Sequence, residues 1–374
     1  MQRLFVGNFD FEHELADSGY QPSAKLKRLN AELATSWMAV ADDGDYLWCS
    51  ERIEPEFFDS LAAQRLPRVI PITRWNDIPA PVELVPWGWT ERLSAWARIG
   101  NCPKSVPPPQ LVRELNSRRF SHELEIEWEC NLAGASAVTD LDQLDAVLEH
   151  ARGVSSRIVI KANWGMSARE RILFSGSLTE AARSWVGKRL AQQGVVFVEP
   201  WVERIDEVGV QVQIPQIGSP ELLGVTRLVC NAAGQYQGSW FTDPPGGVDD
   251  FQTRWRPAVE IALHAAERMQ QRGYSGPLGI DALRYRLPDG SIRLRPLQDI
   301  NARWTMGRLS LGWKRFLSAE TSGFWRHFTS QDSGAERFAG LIPERQIEIS
   351  PAQIGEQPVE HRSVVVFGSF APVH

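Results

Sequence analysis

The sequence predicts a multidomain chain of mixed α/β and α+β class, a Rossmann-like unit followed by a larger body rich in hairpins. Three observations carry this. In the first hundred residues short apolar strand patterns alternate with helical ones, the signature of a parallel sheet. Four prolines crowd into Cys102–Pro109 and disfavour both helix and central strand there. Beyond residue 155 period-2 alternation and turn signals take over. At 374 residues the chain has room for two or three domains of about 150 residues each.

In chain order, Leu4–Gly7 and Trp37–Ala41 read as buried strands, 55–64 as a helix, and Arg68–Ile72 and Val82–Val85 as further strands. The turn after the first strand lacks GxGxxG, so no dinucleotide fingerprint is present. The Pro-rich stretch closes a first domain over residues 1–108. Gln110–Glu129 then reads as helix, with Asn116-Ser117 capping a second segment. Asp140–His150 places Leu141, Leu144 and Leu148 on one face and ends at Gly153. Strands are expected at Ile158–Ile160 and Val195–Val198, around a helix from Leu178 to Gln193. Val208, Val210, Val212 and Ile214 alternate with polar residues, as in a half-buried antiparallel strand. Leu222–Cys230 and Gln235–Phe241 form a hairpin, Pro257–Gln271 a helix, and Ile280–Leu287 with Ile292–Ile300 a second hairpin. The last forty residues carry no clear pattern.

Hydrophobic residues make up 43%, enough for a large core, and 40 Lys+Arg against 46 Asp+Glu leave a net charge of −6. A generally basic nucleic-acid binder is excluded by that balance. The 15 tryptophans against 5 tyrosines read first as packing. Cys49, Cys102, Cys130 and Cys230 are scattered without CxxC, so neither zinc nor a disulfide framework is suggested. The acidic N-terminus is no signal peptide and no apolar run reaches 18 residues. The expectation is a cytoplasmic protein without membrane contact; oligomeric state is not legible, and a homodimer is compatible on base rates.

The chemistry concentrates in GPLGIDALRYRLPDGSIRLRPLQDINARWTMGR. Strand alternation puts Asp299 and Asn301 on one face, about 7 Å apart, where two oxygens can share a hard cation. A three-residue turn at 288–290 sets Asp281 opposite Leu297 on that same face; a two-residue turn sets it on the other unless a bulge intervenes. Asp and Asn at a strand end also commonly begin a loop. Lys161 follows Ile158–Ile160 and precedes a small-residue loop from Gly165 to Ala168 that includes Ser167, suited to phosphate; a lysine leaving a strand edge is the plainer reading. Glu199-Pro200-Trp201-Val202 ends another strand, with Glu207 further on, and backbone groups there can meet an adenine edge.

Taken in order, these pieces resemble the ATP-grasp superfamily over about residues 110–320. "GPLGIDALRY" and "LQDINARWTMGR" carry the resemblance most specifically, "VIKANWGMSA" and "VFVEPWVERIDEVGV" more weakly. The first unit then resembles the preATP-grasp domain, and the body becomes a two-lobed ATP-grasp fold over 109–330, with a central lobe at 155–215, a catalytic lobe at 216–330 and an unassigned extension at 331–374. The resemblance implies ATP and two Mg2+ ions as cofactors. It places Lys161 and Arg118 (or Arg119) on the ATP phosphates, Gly165 and Ser167 in the loop over them, Glu199–Val202 at the adenine and Glu207 at the ribose. Arg227 would meet the triphosphate, Asp281, Asp299 and Asn301 the metal, and Arg303 the γ-phosphate or acyl phosphate. Arg308 and Trp304 flank the centre as substrate candidates.

The implied activity is a carboxylate–amine ligase acting on a small acid and an amine through an acyl phosphate. A phosphotransferase on the same fold, or a nucleotide-binding protein with a degraded site, are the alternatives. Asp299 stands where the superfamily has Glu, Arg118 where it has Lys, and the loop after Lys161 has one Gly. Locally the charge suits an anion: residues 151–175 hold five Lys or Arg against one Glu, and 281–308 six Arg against three Asp.

Overall fold

The computed structural model describes residues 1–78, 81–99, 106–165, 170–242, 248–287, 289–318, 320–329 and 341–370. The first unit is the expected parallel sheet. Strands β1 (Arg3–Val6), β2 (Tyr46–Trp48), β3 (Ile70–Ile72) and β4 (Glu83–Pro86) run in the order β3-β2-β1-β4. Helices α1 (Phe11–Ala16), α2 (Ala24–Leu33), α3 (Pro55–Ala63) and α4 (Glu91–Ile99) connect or follow these strands. One expectation fails here: Trp37–Ala41 is no strand, because residues 34–39 form a buried 3-10 turn and Tyr46–Trp48 takes the place in the sheet. A short apolar run buried on all sides has no period to distinguish the two.

Helix α5 (Pro109–Leu115) opens on its proline, whose missing N–H costs nothing at a first helical position. Ser117 accepts from the Phe120 amide and starts α6 (Arg118–Glu127), as the capping pattern predicts. A small sheet follows, β5 (Ser136–Val138), β6 (Arg157–Ala162), β7 (Arg171–Ser175) and β8 (Val196–Pro200), in the order β5-β8-β6-β7. Helices α7 (Leu144–Arg152) and α8 (Glu180–Gln193) cover the face that carries Ile158, Ile160, Val196 and Val198. Lys161 and Glu199 stand on the other face.

The large sheet has eight strands. They are β9 (Glu203–Ile214), β10 (Glu221–Cys230), β11 (Tyr236–Trp240), β12 (Gly276–Arg286), β13 (Ile292–Asn301), β14 (Ser322–Thr329), β15 (Leu341–Glu348) and β18 (His361–Phe370), ordered β13-β12-β9-β10-β11-β14-β18-β15. A small ribbon, β16 (Gln353–Ile354) with β17 (Gln357–Pro358), lies before the last strand. Residues 341–370, patternless in the sequence, thus complete this sheet. Helix α9 (Val248–Gln271) lies against the Val208–Ile214 face. It begins nine residues before Pro257, the expected start, because Phe251 and Trp255 already bury an apolar stripe. Helix α10 (Met306–Gly312) follows β13.

One core runs from the first sheet into the body: Trp37 packs on Trp87 and Trp304, 6.3 and 5.1 Å between rings. The tryptophan excess is largely spent on such packing, with Trp255, Trp313 and Trp325 also fully buried. Among the described residues no helix is long and apolar enough to cross a membrane.

Candidate active site

The hairpin β12–β13 sets the centre. Its turn gives the three-residue register, with Leu287 donating to the Ser291 carbonyl and Arg286 facing Ile292; Pro288 itself lies outside the described residues. Carried on unbroken, that register would put Asp281 opposite Leu297. Two extra residues on β13 between Arg295 and Asp299 bulge out instead, so Asp281 pairs directly with Asp299, and Gly279 with Asn301. Two extra residues preserve the side-chain parity, so all three oxygen-bearing side chains share one sheet face. The Asn301 amide donates to Asp281 Oδ2 at 3.4 Å. Burial, then the neighbouring Asp299 charge, pushes the Asp281 carboxyl up to about 7. Asp299 accepts from Arg118 Nη1 at 2.6 and 2.7 Å.

Arg118 is aimed by its place in α6. Its amide donates to the Asn163 carbonyl, tying the helix start to the end of β6, while Arg119 points away toward Gly194. Lys161 donates to Glu199 Oε2 at 2.7 Å. Arg295 on β13 grips Glu199 at 3.0 and 3.2 Å and Glu125 of α6 at 2.5 and 2.8 Å. Burial alone would raise the Glu199 carboxyl, but Arg295 and Lys161 hold it well below the usual range. Burial lowers the Lys161 ammonium, aided by Arg118 and opposed by Glu199. This chain of charges joins α6, the small sheet and the β12–β13 face that carries Asp281, Asp299 and Asn301.

A cavity of about 460 Å³ lies over this face. Arg118, Lys161, Gly165, Glu207, Asp281, Asp299, Asn301 and Arg303 all line it, so eight residues singled out in the sequence are brought together. Arg303 reaches it from beside Glu12 of α1, with Nε 2.7 Å from Glu12 Oε1. A second cavity, of about 550 Å³, holds Trp201, Val202 and Arg227 and meets the first at Arg204 and Glu207. Three guanidinium groups, from Arg157, Arg171 and Arg204, lie 5.7, 5.2 and 4.3 Å from the Trp201 ring. Glu207 accepts from Arg204 at 2.8 Å.

Some expectations are corrected. Arg227 pairs with Val208, so strand alternation turns it to the face opposite Asp281, away from Asp299 and Asn301. The Glu199 side chain is taken up by Lys161 and Arg295, which leaves the expected backbone contact of Glu199–Val202 with an adenine untouched, and Pro200 lines neither cavity. Arg308 is bound to the Val212 carbonyl and Gln213 and stacks on Trp304 at 4.5 Å; neither residue lines the cavities. Ser167 lies outside the described residues. Sequence reasoning missed Arg295, Glu125, Glu12 and Arg204. The first three have partners 96 to 291 positions away, and no local pattern announces such pairs.

No protein-family model matches the chain. It is 27% identical over 141 residues to a cycloserine biosynthesis protein of Streptomyces lavendulae, a match over 36% of this chain and about half, 47%, of that relative. It is 22% identical over 314 residues to a [butirosin acyl-carrier protein]–L-glutamate ligase of Niallia circulans, covering 81% of this chain and 72% of the relative. In structure it superposes on a biotin carboxylase of Campylobacter jejuni with a TM-score of 0.54 at 12% identity, over 98% of this chain and 88% of that one. An N5-carboxyaminoimidazole synthetase of Staphylococcus aureus gives 0.52 at 9% identity, over 98% and 94%. Likeness at such low identity speaks to architecture alone, and the architecture is the ATP-grasp fold.

Proposed function

We propose that this protein is an ATP- and magnesium-dependent ligase that activates a small carboxylic acid as an acyl phosphate and joins it to an amine. The observation that carries the reading is the direct pairing of Asp281 with Asp299, beside Asn301, on the floor of a cavity walled by Lys161, Arg118 and Arg303. The L-glutamate ligase among its relatives supports the acid as an amino acid.

The residues fit a magnesium site. Two carboxylates and an amide oxygen are the donors a hard cation takes, and a carboxyl pushed up to about 7 by burial and then by the Asp299 charge marks a place where positive charge is wanted. Among the described residues no group of three His, Cys, Asp or Glu could hold a metal, so phosphate oxygens of the nucleotide would complete the shell. When bound, magnesium neutralises charge that builds up on the β- and γ-phosphates. Lys161 on the small sheet and Arg118 beside Asp299 orient the phosphates. Trp201 and Val202, in the adjoining cavity, receive the base, and Glu207 at the junction takes ribose hydroxyls. The acid's carboxylate attacks the γ-phosphorus and ADP leaves. Arg303 then faces the acyl phosphate and the oxyanion formed as the amine adds to its carbonyl. Enclosure by the two sheets keeps water from that anhydride.

Product analysis with ATP, magnesium and a panel of amino acids tests this. Phosphate and ADP released only when acid and amine are both present is the expected result. A phosphorylated single substrate would replace the ligase by a phosphotransferase, and no turnover or nucleotide-dependent thermal shift with magnesium would remove both.

A further inference from the structure

The cavity has four described carboxylates in its wall. Asp281 and Asp299 belong to the metal face, and both oxygens of Glu207 have contacts, Oε1 with Arg204 at 2.8 Å and Oε2 with Cys230 Sγ at 3.7 Å. The fourth is Glu12, on α1 of the first unit. It is 8% exposed, and its Oε1 takes both Arg303 contacts, at 2.7 Å from Nε and 2.5 Å from Nη2. Its Oε2 is buried and has no hydrogen-bond partner. A buried carboxylate oxygen left without a donor is costly, and on a side chain that lines a cavity it marks the place of a missing donor.

We infer that Glu12 Oε2 receives the ammonium group of the amine substrate; the assignment rests on the ligase reading above. The other three carboxylates of the wall are engaged, and the remaining charged groups repel an ammonium. Arg118, Lys161, Arg171, Arg204 and Arg303 line the same space, so a cationic nucleophile needs a carboxylate to enter. Glu12 holds Arg303 on one oxygen and offers the other, which sets the amine beside the guanidinium that faces the acyl phosphate. The ammonium gives one proton to Oε2, and the freed nitrogen lone pair forms the C–N bond to the carbonyl carbon. As the tetrahedral species collapses, the C–O bond to phosphate breaks with its electrons on the leaving phosphate, which takes the second N–H proton. Amine recognition thus comes from the first unit and metal binding from the body, so the site is complete only when the two are packed together.

The test separates this from the parent reading. Hydroxylamine, mostly uncharged at pH 8, traps acyl phosphates as hydroxamates without an ammonium to be recognised. Wild type is first run with ATP, magnesium, hydroxylamine and each of the twenty protein amino acids as the acid; the best acid is then paired with amino acids as amines. In Glu12→Gln, which keeps an acceptor for Arg303, the ratio of amine-dependent to hydroxylamine-dependent turnover should fall at least tenfold, through a raised KM for the amine. An unchanged ratio, or a rise confined to the KM of the acid, overturns the assignment. Wild type that yields no hydroxamate overturns the acyl-phosphate reading itself. If Glu12→Gln does not fold, Glu12→Asp, which withdraws the charge by one methylene, is judged by the same ratio.

Discussion

Asp299 accepts both contacts from Arg118 and faces Asp281 across the hairpin, so its charge serves the cavity and not the core. Asp299→Asn should lower magnesium-dependent kcat by at least 100-fold, about 3 kcal/mol of barrier, with an unchanged circular dichroism spectrum. Full activity in that variant would remove the metal assignment. Asp281 gives a pH signature. Its carboxyl is raised from 3.8 to about 7 in the fold, so between those values the folded protein holds a proton that the unfolded chain lacks. Stability without metal therefore falls as pH rises through this window, by up to about 1.4 kcal/mol per pH unit. Melting temperatures from pH 4.5 to 7 with a chelator should show this slope, and Asp281→Asn should flatten it. The oxygen-bearing residues themselves were legible because DxN on a strand puts two of them on one face. Their neighbours Glu12, Glu125 and Arg295 were not, because each acts through a partner remote in the chain.

The elements around the site are held close by glycines where backbone must approach side chains. A Cβ on Gly307, in α10, would lie 2.5 Å from Gln211 Nε2 and 2.5 Å from Thr226 Oγ1. Neither can retreat easily: Gln211 accepts from Thr305 at 2.6 Å and Thr226 donates to the Gly209 carbonyl at 3.1 Å, both in buried surroundings. Gly307→Ala should cost about 1–3 kcal/mol by overpacking, read as a lower melting temperature. The hairpin shows how far element-level reasoning reaches. The sequence left a two- and a three-residue turn open; the structure has the three-residue one, and the two-residue bulge on β13 then moved the partner of Asp281 from Leu297 to Asp299. The helix start at Ser117 was marked by its capping residue, and α8 begins at Glu180 behind Thr179, two residues after Leu178, the expected start. The strand expected at Trp37–Ala41 failed because burial there comes from every side and leaves no period.

At the scale of the molecule, α2 of the first unit clasps the C-terminal strands. Glu32 accepts from the Glu360 and His361 amides at 2.8 and 3.0 Å and pairs with His361 Nδ1 at 2.9 Å. Arg28 donates to the Gln357 and Pro358 carbonyls at 2.9 and 2.7 Å. Burial raises the Glu32 carboxyl, yet His361 and the two amides outweigh it and leave it below its ordinary 4.5. Its contribution is thus full above that value and fades as pH falls through the lower folded value. Glu32→Ala should cost about 2–4 kcal/mol, since it strands buried donors. Hydrogen exchange of residues 341–370 should accelerate in this variant more than that of β12 and β13. Equal protection would mean that the clasp carries no load.

The sequence by itself determined the parallel first sheet, the hairpins of the body, the acidic chain with two basic stretches, and Asp299 and Asn301 on a common face. Those features follow from local steric and hydrophobic periodicity, which the chain carries residue by residue. Only the tertiary structure decided that Asp281 meets Asp299, that Arg227 faces away, that Arg295 binds Glu199 and Glu125, and that the last thirty described residues finish the large sheet. It also decided that Glu12 and Arg303, 291 positions apart, close on each other. Pairing at such distance is chosen by which surfaces can be buried together, and no local pattern encodes that.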